Sequence, residues 1–512
     1  MVPLNIKILS TLNFFKIITG ALVLAVMILQ IYYNFHYPIW RDDAGFGELA
    51  KNMVNGEGYS ATMFDKLYPF SYLIATAGPT ITLPAAASIF LFGNTYWAIG
   101  LANIFLIWSL MVLIFIAADS VLEKKEKWLF CFLGLFFCFL FSSGDQKLYG
   151  VETGDSISLW HLLMGEVPAS LCVILGAFLF SSSKSKNKII AGGLFLGMAV
   201  MAKTITCFAV AIITMVLGFR IVWDKKINIP KKIKLLAITV AAVIAPILLF
   251  EIAKILILGW QGYNEFQIEN AAFYKQNGAV KNNAYQRLKS LSVVFGLGHF
   301  YPIIVAFVVA CFSMKRPSIA NSLGLTLLAC FALHLLWWIN FSINGSYRHL
   351  VIGLFCFCAG LSLLLANIDY SKLFDSAITS FFIFFLIIGR MSMVHYNYNF
   401  DFEKTARLKE QLAILEAVKE LELKKVTLFS CGSNFELEYL LPGSRHFKDC
   451  LDMPKENSSA AMLVSYFVYE SKVVAMRPQY PFIDLRVIPE EILNQCSQKY
   501  MESENFSLRW CK

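Results

Sequence analysis

Long apolar segments constrain this chain more than any other feature. The segment from 235 to 258 and several others like it reach the length of about 20 residues that an α-helix needs to cross a bilayer. The composition agrees, since 57% of the 512 residues are hydrophobic and only 15% are charged. A water-soluble globular protein has a far more polar balance. The sequence therefore predicts a polytopic α-helical membrane protein that has the lipid bilayer as its solvent.

The basic residues lie mainly in short hydrophilic gaps between the apolar segments. These gaps are EKKEK (123–127), SKSKNK (183–188), DKKINIPKKIK (224–234) and MKRP (314–317). Short basic loops between spans mark the cytoplasmic side of a membrane protein. The formal net charge of +9 thus indicates topology, and we expect no nucleic-acid partner.

The apolar segments predict eleven crossings with the N-terminus inside. In chain order they are 13–34, 95–118, 128–144, 167–182, 189–203, 205–222, 235–258, 292–313, 318–340, 349–367 and 373–391. No small-residue cleavage site follows the first segment, so we expect an uncleaved helix there and not a signal peptide. The apolar segment 70–93 is broken by prolines, which favours re-entrant or interfacial helices over one straight span.

This topology divides the chain into a membrane domain, 1–392, and a small α/β domain, 400–512, on the outer face. Outer loops of the membrane domain are expected at 35–94, 145–166 and 259–291. In the second domain, residues 401–423 have helical periodicity, and KKVTLFSCG (424–432) and AAMLVSYFVY (460–469) are typical of buried strands.

Four of the twelve cysteines fall in the C-terminal domain, namely Cys431, Cys450, Cys496 and Cys511. An even number permits two disulfides if this part of the chain faces an oxidising compartment. The other eight lie in or near apolar segments, where cysteine packs as a small hydrophobic residue.

An acidic pair, Asp42-Asp43, directly follows the first apolar segment, in WRDDAGFGELAKNMVNGEGYS (40–60). Either carboxylate is suited to cap the short helix that follows. We expect an amphipathic helix at the outer membrane interface, with an apolar face and with Glu48, Lys51 and Asn52 pointing elsewhere. Capping requires only one of the two acids, so it does not explain why there are two.

Four motifs in order resemble one family of enzymes. The acidic pair is followed by an alanine, an aromatic residue and GEGY, and later come AGPTITLPAAASIFLFGNTYWAIGLAN (77–103), GLFLGMAVMAKT (193–204) and GSYRHLVIGLF (345–355). This order resembles the GT-C glycosyltransferases, in particular the protein O-mannosyltransferases and lipid A aminoarabinose transferases. The resemblance implies a polyprenyl-phosphate-linked sugar as donor and a glycan, lipid or protein as acceptor. It also implies an active site on the outer face of a bacterial plasma membrane.

Two cations are expected at the outer membrane border. Lys203 lies between two short spans that must form a hairpin, and Arg348 precedes the span 349–367. Two such charges suit a lipid-linked phosphate, which arginine binds bidentately. The alternatives are a lysine that only extends its ammonium to the interface and an arginine that is only a surface charge.

A third acidic group, Glu166, occurs in GEVPA at the start of the span 167–182. The family carries a second acidic site in this loop, and Glu166 matches it, with Asp155 as the competing candidate. Glu166 is also suited to cap the helix together with Pro168. The family usually has tyrosine where this chain has His349, and the motif around Tyr59 supplies a further candidate for substrate binding.

These residues predict an inverting glycosyltransferase. Asp42 would act as general base on the acceptor, Lys203 and Arg348 would stabilise the departing lipid phosphate, and Asp43 and Glu166 would orient acceptor or base. The motifs identify no particular cofactor and no His/Cys cluster has metal-ligand spacing, while a divalent metal stays compatible with the sequence. The alternative is a transporter or flippase of lipid-linked glycans, which would place ionisable residues near the bilayer midplane.

Overall fold

The computed structural model describes residues 3–36, 41–63, 66–70, 78–142, 165–181, 185–278, 318–341 and 347–367, and short segments between 408 and 511. The helices in these ranges are α1 (Pro3–His36), α2 (Arg41–Val54), α3 (Pro79–Phe92), α4 (Ala98–Ala118), α5 (Lys124–Ser142), α6 (Glu166–Ser181), α7 (Lys186–Ala202), α8 (Cys207–Trp223), α9 (Ile229–Gly278), α10 (Ile319–Phe341) and α11 (Val351–Ala366). Two 3₁₀ turns, Thr204–Thr206 and Tyr347–Leu350, precede α8 and α11.

Within the described part of the chain, five helical segments are long and apolar enough to cross a membrane. They are Lys16–His36, Ala98–Ala118, Thr204–Trp223, Ile229–Ala272 and Ile319–Asn340. Shorter apolar helices are α3, α6 and α11. Nine of the eleven predicted spans coincide with helices, and the other two, 292–313 and 373–391, lie outside the described residues. The chain is therefore a multi-pass helical membrane protein, as predicted.

Small residues allow the central helices to approach closely. A Cβ added at Gly176 of α6 would lie 2.7 Å from the Leu196 side chain of α7, and one added at Gly192 would lie 2.5 Å from the Phe180 ring. These contacts show that α6 and α7 run antiparallel. Because lipid tails give apolar side chains no reason to leave the bilayer, close packing of this kind is a main source of helix association.

The first loop after α1 folds into α2 and a two-stranded antiparallel hairpin, β1 (Ser60–Met63) and β2 (Lys66–Pro69). The polar face of α2 is covered by the protein, since Glu48 and Asn52 are fully buried. The hairpin covers this face, since the Asn52 amide donates to the Ser60 carbonyl and the Thr62 hydroxyl, at 3.0 Å each. Glu48 forms a 2.6 Å ion pair with Lys51.

The described part of 70–93 agrees with an interfacial helix. Helix α3 has only 14 residues, with Pro84 inside it, which is too short to cross a bilayer. Its Phe90 and Leu91 side chains are exposed, at 77% and 70%, and on such a helix they are suited to lie in lipid.

Between 427 and 511 the chain forms five strands, β3 (Thr427–Cys431), β4 (Phe447–Asp449), β5 (Ala460–Ser465), β6 (Gln498–Glu502) and β7 (Phe506–Cys511). They make one mixed sheet in the order β4-β3-β5-β7-β6. Both strands predicted from the sequence are confirmed, and the described residues of 408–420 are helical. Cys431 aligns with Val464 at one end of β5, and Cys511 aligns with Ala460 at the other.

Candidate functional site

The start of α6 is held against the end of α7. Gly165 precedes Glu166 with φ +86°, a left-handed conformation that glycine adopts without strain. A Cβ at Gly165 would lie only 2.6 Å from the Ala202 carbonyl oxygen. Both the conformation and the close approach therefore require glycine, and they bring Glu166 to the residues that follow Ala202.

Lys203 lies where α7 stops. Its backbone is extended, with φ −156° and ψ 112°, so the helix cannot continue through it. The next turn is fixed by Thr206, whose amide and hydroxyl donate to the Lys203 carbonyl at 3.0 and 2.9 Å. The span Thr204–Trp223 starts directly afterwards, so Lys203 lies at the end of two apolar helices, as predicted.

Glu166 and Lys203 form an ion pair, with 2.8 Å between Oε1 and Nζ. The Glu166 side chain is 1% exposed and the Lys203 side chain 14%. Neither carboxylate oxygen makes a hydrogen bond to the described residues, so the contact is a charge pair without good hydrogen-bond alignment. Such a pair loses most of its hydration, and removing one partner destabilises the protein because the other charge stays buried and unpaired. The Lys203 side chain keeps a small exposed fraction, whereas the Glu166 side chain is almost completely covered.

The second motif docks on the last turn of α7, next to Lys203. The Gly78 amide donates to the Met201 carbonyl at 2.8 Å, and the Thr80 hydroxyl donates to the Met198 carbonyl at 3.0 Å. A Cβ at Gly78 would lie 2.6 Å from the same Met201 oxygen. Gly78 and Thr80 belong to the predicted motif 77–103, and the structure thus joins it to the motif that ends in Lys203.

The acidic pair, Asp42-Asp43, lies in α2, which packs against the ends of α6 and α7 near Glu166 and Lys203. Asp43 is buried, while the Asp42 side chain lies outside the described residues. Because α2 begins at Arg41, both acids lie inside its first turn and not before it, where a carboxylate still interacts favourably with the helix dipole. One apolar cluster contains residues of α2, of α3, of the start of α6 and of the end of α7, among them Leu49, Ile81, Ala169 and Ala202.

Tyr59 has the environment of a packing residue. Its hydroxyl accepts a 3.4 Å hydrogen bond from Thr82. Its ring lies 5.2 Å from that of Phe70 and 5.5 Å from that of Phe250. Burial raises the pKa of the Tyr59 hydroxyl. These contacts attach the hairpin to α3 and α9 and so hold α2 in place.

The turn that carries Arg348 contacts α10, and α10 packs against the start of α8. Its His349 carbonyl is 2.7 Å from Nε2 of His334 in α10. Trp337, one turn further along α10, has its ring 5.9 Å from that of Phe208 in α8. Lys203 and the Arg348 turn are thus connected through two packed helices, although the Arg348 side chain is outside the described residues.

Sequence reasoning missed two features of this site. The Glu166–Lys203 pair has no signal in the sequence, because the two residues lie on different helices with no characteristic spacing. The burial of Glu48 depends on the hairpin that covers it. Asp155 lies outside the described residues. Among the residues that the structure describes, no three His, Cys, Asp or Glu side chains form a group that could hold a metal ion.

Solved structures share this architecture. The crystal structure of ArnT from Cupriavidus metallidurans in the apo state matches with a TM-score of 0.58, over 97% of this chain and 98% of that chain, at 11% identity. The chain has a GT-C-like fold. The same ArnT bound to undecaprenyl phosphate matches with a TM-score of 0.57, over 96% and 98% of the two chains, at 12% identity. No protein-family model and no curated protein sequence matches the chain.

The likeness to ArnT confirms the fold that the four motifs predicted. ArnT is a lipid A aminoarabinose transferase, which is one of the two groups in the branch that the motifs resemble. At 11–12% identity the likeness concerns the fold. Function has to be argued from the site of this chain.

Proposed function

We propose that this protein is an integral-membrane glycosyltransferase that moves a sugar from a polyprenyl-phosphate donor to an extracytoplasmic acceptor. The observation that carries the proposal is the Lys203 side chain, 14% exposed and paired with Glu166 at a helix end, in a fold shared with an ArnT bound to undecaprenyl phosphate. The motifs around Gly78 and Lys203 meet at this point. The acceptor is a lipid, a polysaccharide or a protein.

Lys203 and Arg348 bind the donor phosphate. The charge of a phosphate diester is best neutralised by cations close to the membrane border, and the arginine fork matches two phosphate oxygens. As the bond between sugar and phosphate breaks, negative charge grows on the leaving phosphate. Cations that are already in place stabilise this charge without reorganisation. The lipid phosphate is itself the leaving group, so no nucleotide sugar is required.

Asp42 acts as the general base. It takes the proton from the acceptor hydroxyl or amine as that group attacks the anomeric carbon from the face opposite the phosphate. The new glycosidic bond forms as the bond to phosphate breaks, which inverts the anomeric configuration. Asp43, buried in the first turn of α2, orients the base, and Glu166 positions Lys203 through the 2.8 Å ion pair.

The site faces the periplasmic or extracellular side of a bacterial plasma membrane. Helix α7 begins at Lys186, in the basic gap 183–188, and ends next to Lys203. A basic gap at one end favours that end as cytoplasmic, so the end with Lys203, Glu166 and α2 is expected on the opposite side. The C-terminal domain, 400–512, belongs to that side as well.

The transporter alternative has less support. It would use ionisable residues near the bilayer midplane, and Glu251 and Lys254 are one candidate pair among the described residues. They form a 2.7 Å ion pair, and the Tyr263 hydroxyl donates to Glu251 at 2.9 Å. Both lie close to Gly259, where the kink in α9 occurs, which places the pair towards the end of a span.

The proposal is tested with the protein reconstituted in liposomes with a panel of undecaprenyl-phosphate-linked radiolabelled sugars and an extract of envelope acceptors. We expect label in the acceptor and release of undecaprenyl phosphate in equal amounts. Movement of an intact labelled donor across the bilayer, with no label leaving the lipid, would contradict a transferase and support a transporter.

A further inference from the structure

His334 is a polar side chain in an unusual place. It lies in α10, within the apolar segment Ile319–Asn340 that is long enough to cross a membrane, and it is fully buried. An ionisable residue inside a membrane span is costly and is retained mainly where it has a function. No role for His334 follows from the motifs or from the proposed chemistry.

One hydrogen bond of His334 shows which part of the chain it fixes. Its Nε2 lies 2.7 Å from the His349 carbonyl oxygen, and because a carbonyl can only accept, Nε2 carries the proton and donates. Its Nδ1 is then an acceptor, buried and without a hydrogen bond to the described residues. A Cβ added at Gly353 would lie 3.0 Å from the ring. The His334 ring therefore packs closely against the start of α11.

A second set of contacts leads from the same ring to Lys203. The His334 ring is 5.3 Å from that of Trp337, which in turn is 5.9 Å from that of Phe208. Phe208 is in the first turn of α8, directly after the 3₁₀ turn that follows Lys203. Aromatic contacts towards α8 and a backbone hydrogen bond to residue 349 thus link the turn that follows Lys203 to the turn that contains Arg348.

We propose that His334 is a positioning residue that sets the Arg348 turn at the distance from Lys203 at which both cations bind one lipid-linked phosphate. This inference rests on the proposed function, since it assumes that both cations bind the donor. His334 itself does not touch the substrate. It acts through the backbone of residue 349, which is adjacent to Arg348.

The test measures binding of undecaprenyl phosphate to the full-length protein in nanodiscs, together with the melting temperature. His334→Phe keeps a ring of similar size but removes the donor, and we expect binding roughly tenfold weaker, the value of one lost hydrogen bond. His334→Gln retains an amide donor and should restore most of the affinity. Thr326→Val is the control, since among the described residues the Thr326 hydroxyl bonds within its own helix, to the Ser322 carbonyl, and the variant should bind as the wild type does.

A double-mutant cycle separates positioning from general stability. In an Arg348→Ala background, His334→Phe should weaken binding no further, because the cation it positions is gone. An effect of equal size in both backgrounds, or none in either, overturns the inference. If His334→Phe does not fold, Gly353→Ala takes its place, because the added Cβ displaces the same ring and should couple to Arg348 in the same way.

The cycle also separates this inference from the proposed function. If Lys203→Ala and Arg348→Ala both bind undecaprenyl phosphate as the wild type does, the phosphate site is wrong and the His334 inference fails with it. If both weaken binding while His334→Phe leaves it unchanged, the phosphate site stands and only the role of His334 is refuted.

Discussion

Replacing Lys203 by methionine should destabilise the protein strongly. The change removes the ammonium 2.8 Å from Glu166 and leaves a carboxylate that is 1% exposed without a cation or a hydrogen bond to the described residues. Breaking a buried ion pair in this way costs about 3–5 kcal/mol. Because Lys203 is 14% exposed, water relieves part of this cost, and we expect about 3 kcal/mol.

The destabilisation expected for Lys203→Met is checked by a double-mutant cycle in detergent micelles. Lys203→Met, Glu166→Gln and the double variant are unfolded thermally, and the free energies of unfolding are compared. The double variant should be clearly more stable than Lys203→Met alone, because it no longer buries an unpaired charge. If the losses in the free energy of unfolding of the two single variants sum to the loss of the double variant, the two side chains do not interact in solution. The pair then cannot position Lys203.

Three further predictions concern other parts of the chain. Cys431 and Cys511 align with opposite ends of β5, so under non-reducing conditions each should bond to another cysteine; a peptide containing Cys431 linked to Cys511 would contradict the sheet register. Burial raises the pKa of Glu48, so the folded state binds its proton more tightly than the unfolded chain. Stability should then fall as pH rises from the ordinary glutamate pKa towards the raised one, and Glu48→Gln should reduce this slope; an identical slope in both proteins would refute it. Alkaline phosphatase fused after Lys512 should be active and the same fusion after Lys188 inactive, and the reverse result would place the site in the cytoplasm.

The helices were predictable because each apolar segment carries its own signal in composition and length. Helix α4 (Ala98–Ala118), for example, lies within the predicted span 95–118 and ends at the same residue. The strands β3 and β5 were predictable because each lies in a short, mostly apolar run within a hydrophilic part of the chain.

What the sequence could not predict depends on neighbours that are distant along the chain. The polar residues Glu48 and Asn52 have the spacing of a solvent-exposed face, and only the hairpin that covers them reverses that interpretation. The partner of Glu166 is a lysine on another helix, and the partner of His334 is a backbone carbonyl, which has no sequence signature. The candidate residues were therefore found singly, and their pairing came from the fold.

The central claim is that Asp42 removes the proton from the acceptor, and Asp42→Asn tests it most directly. Asparagine has the same size and serves a helix N-terminus about as well as aspartate, so the fold should remain, and undecaprenyl phosphate should still bind. Transfer of radiolabelled sugar from the undecaprenyl-phosphate donor to the acceptor should fall by about 100- to 10,000-fold, the usual effect of losing a general base. Asp43→Asn, the matched control in the same turn, should retain more activity. An Asp42→Asn protein that transfers sugar at the wild-type rate would contradict the account.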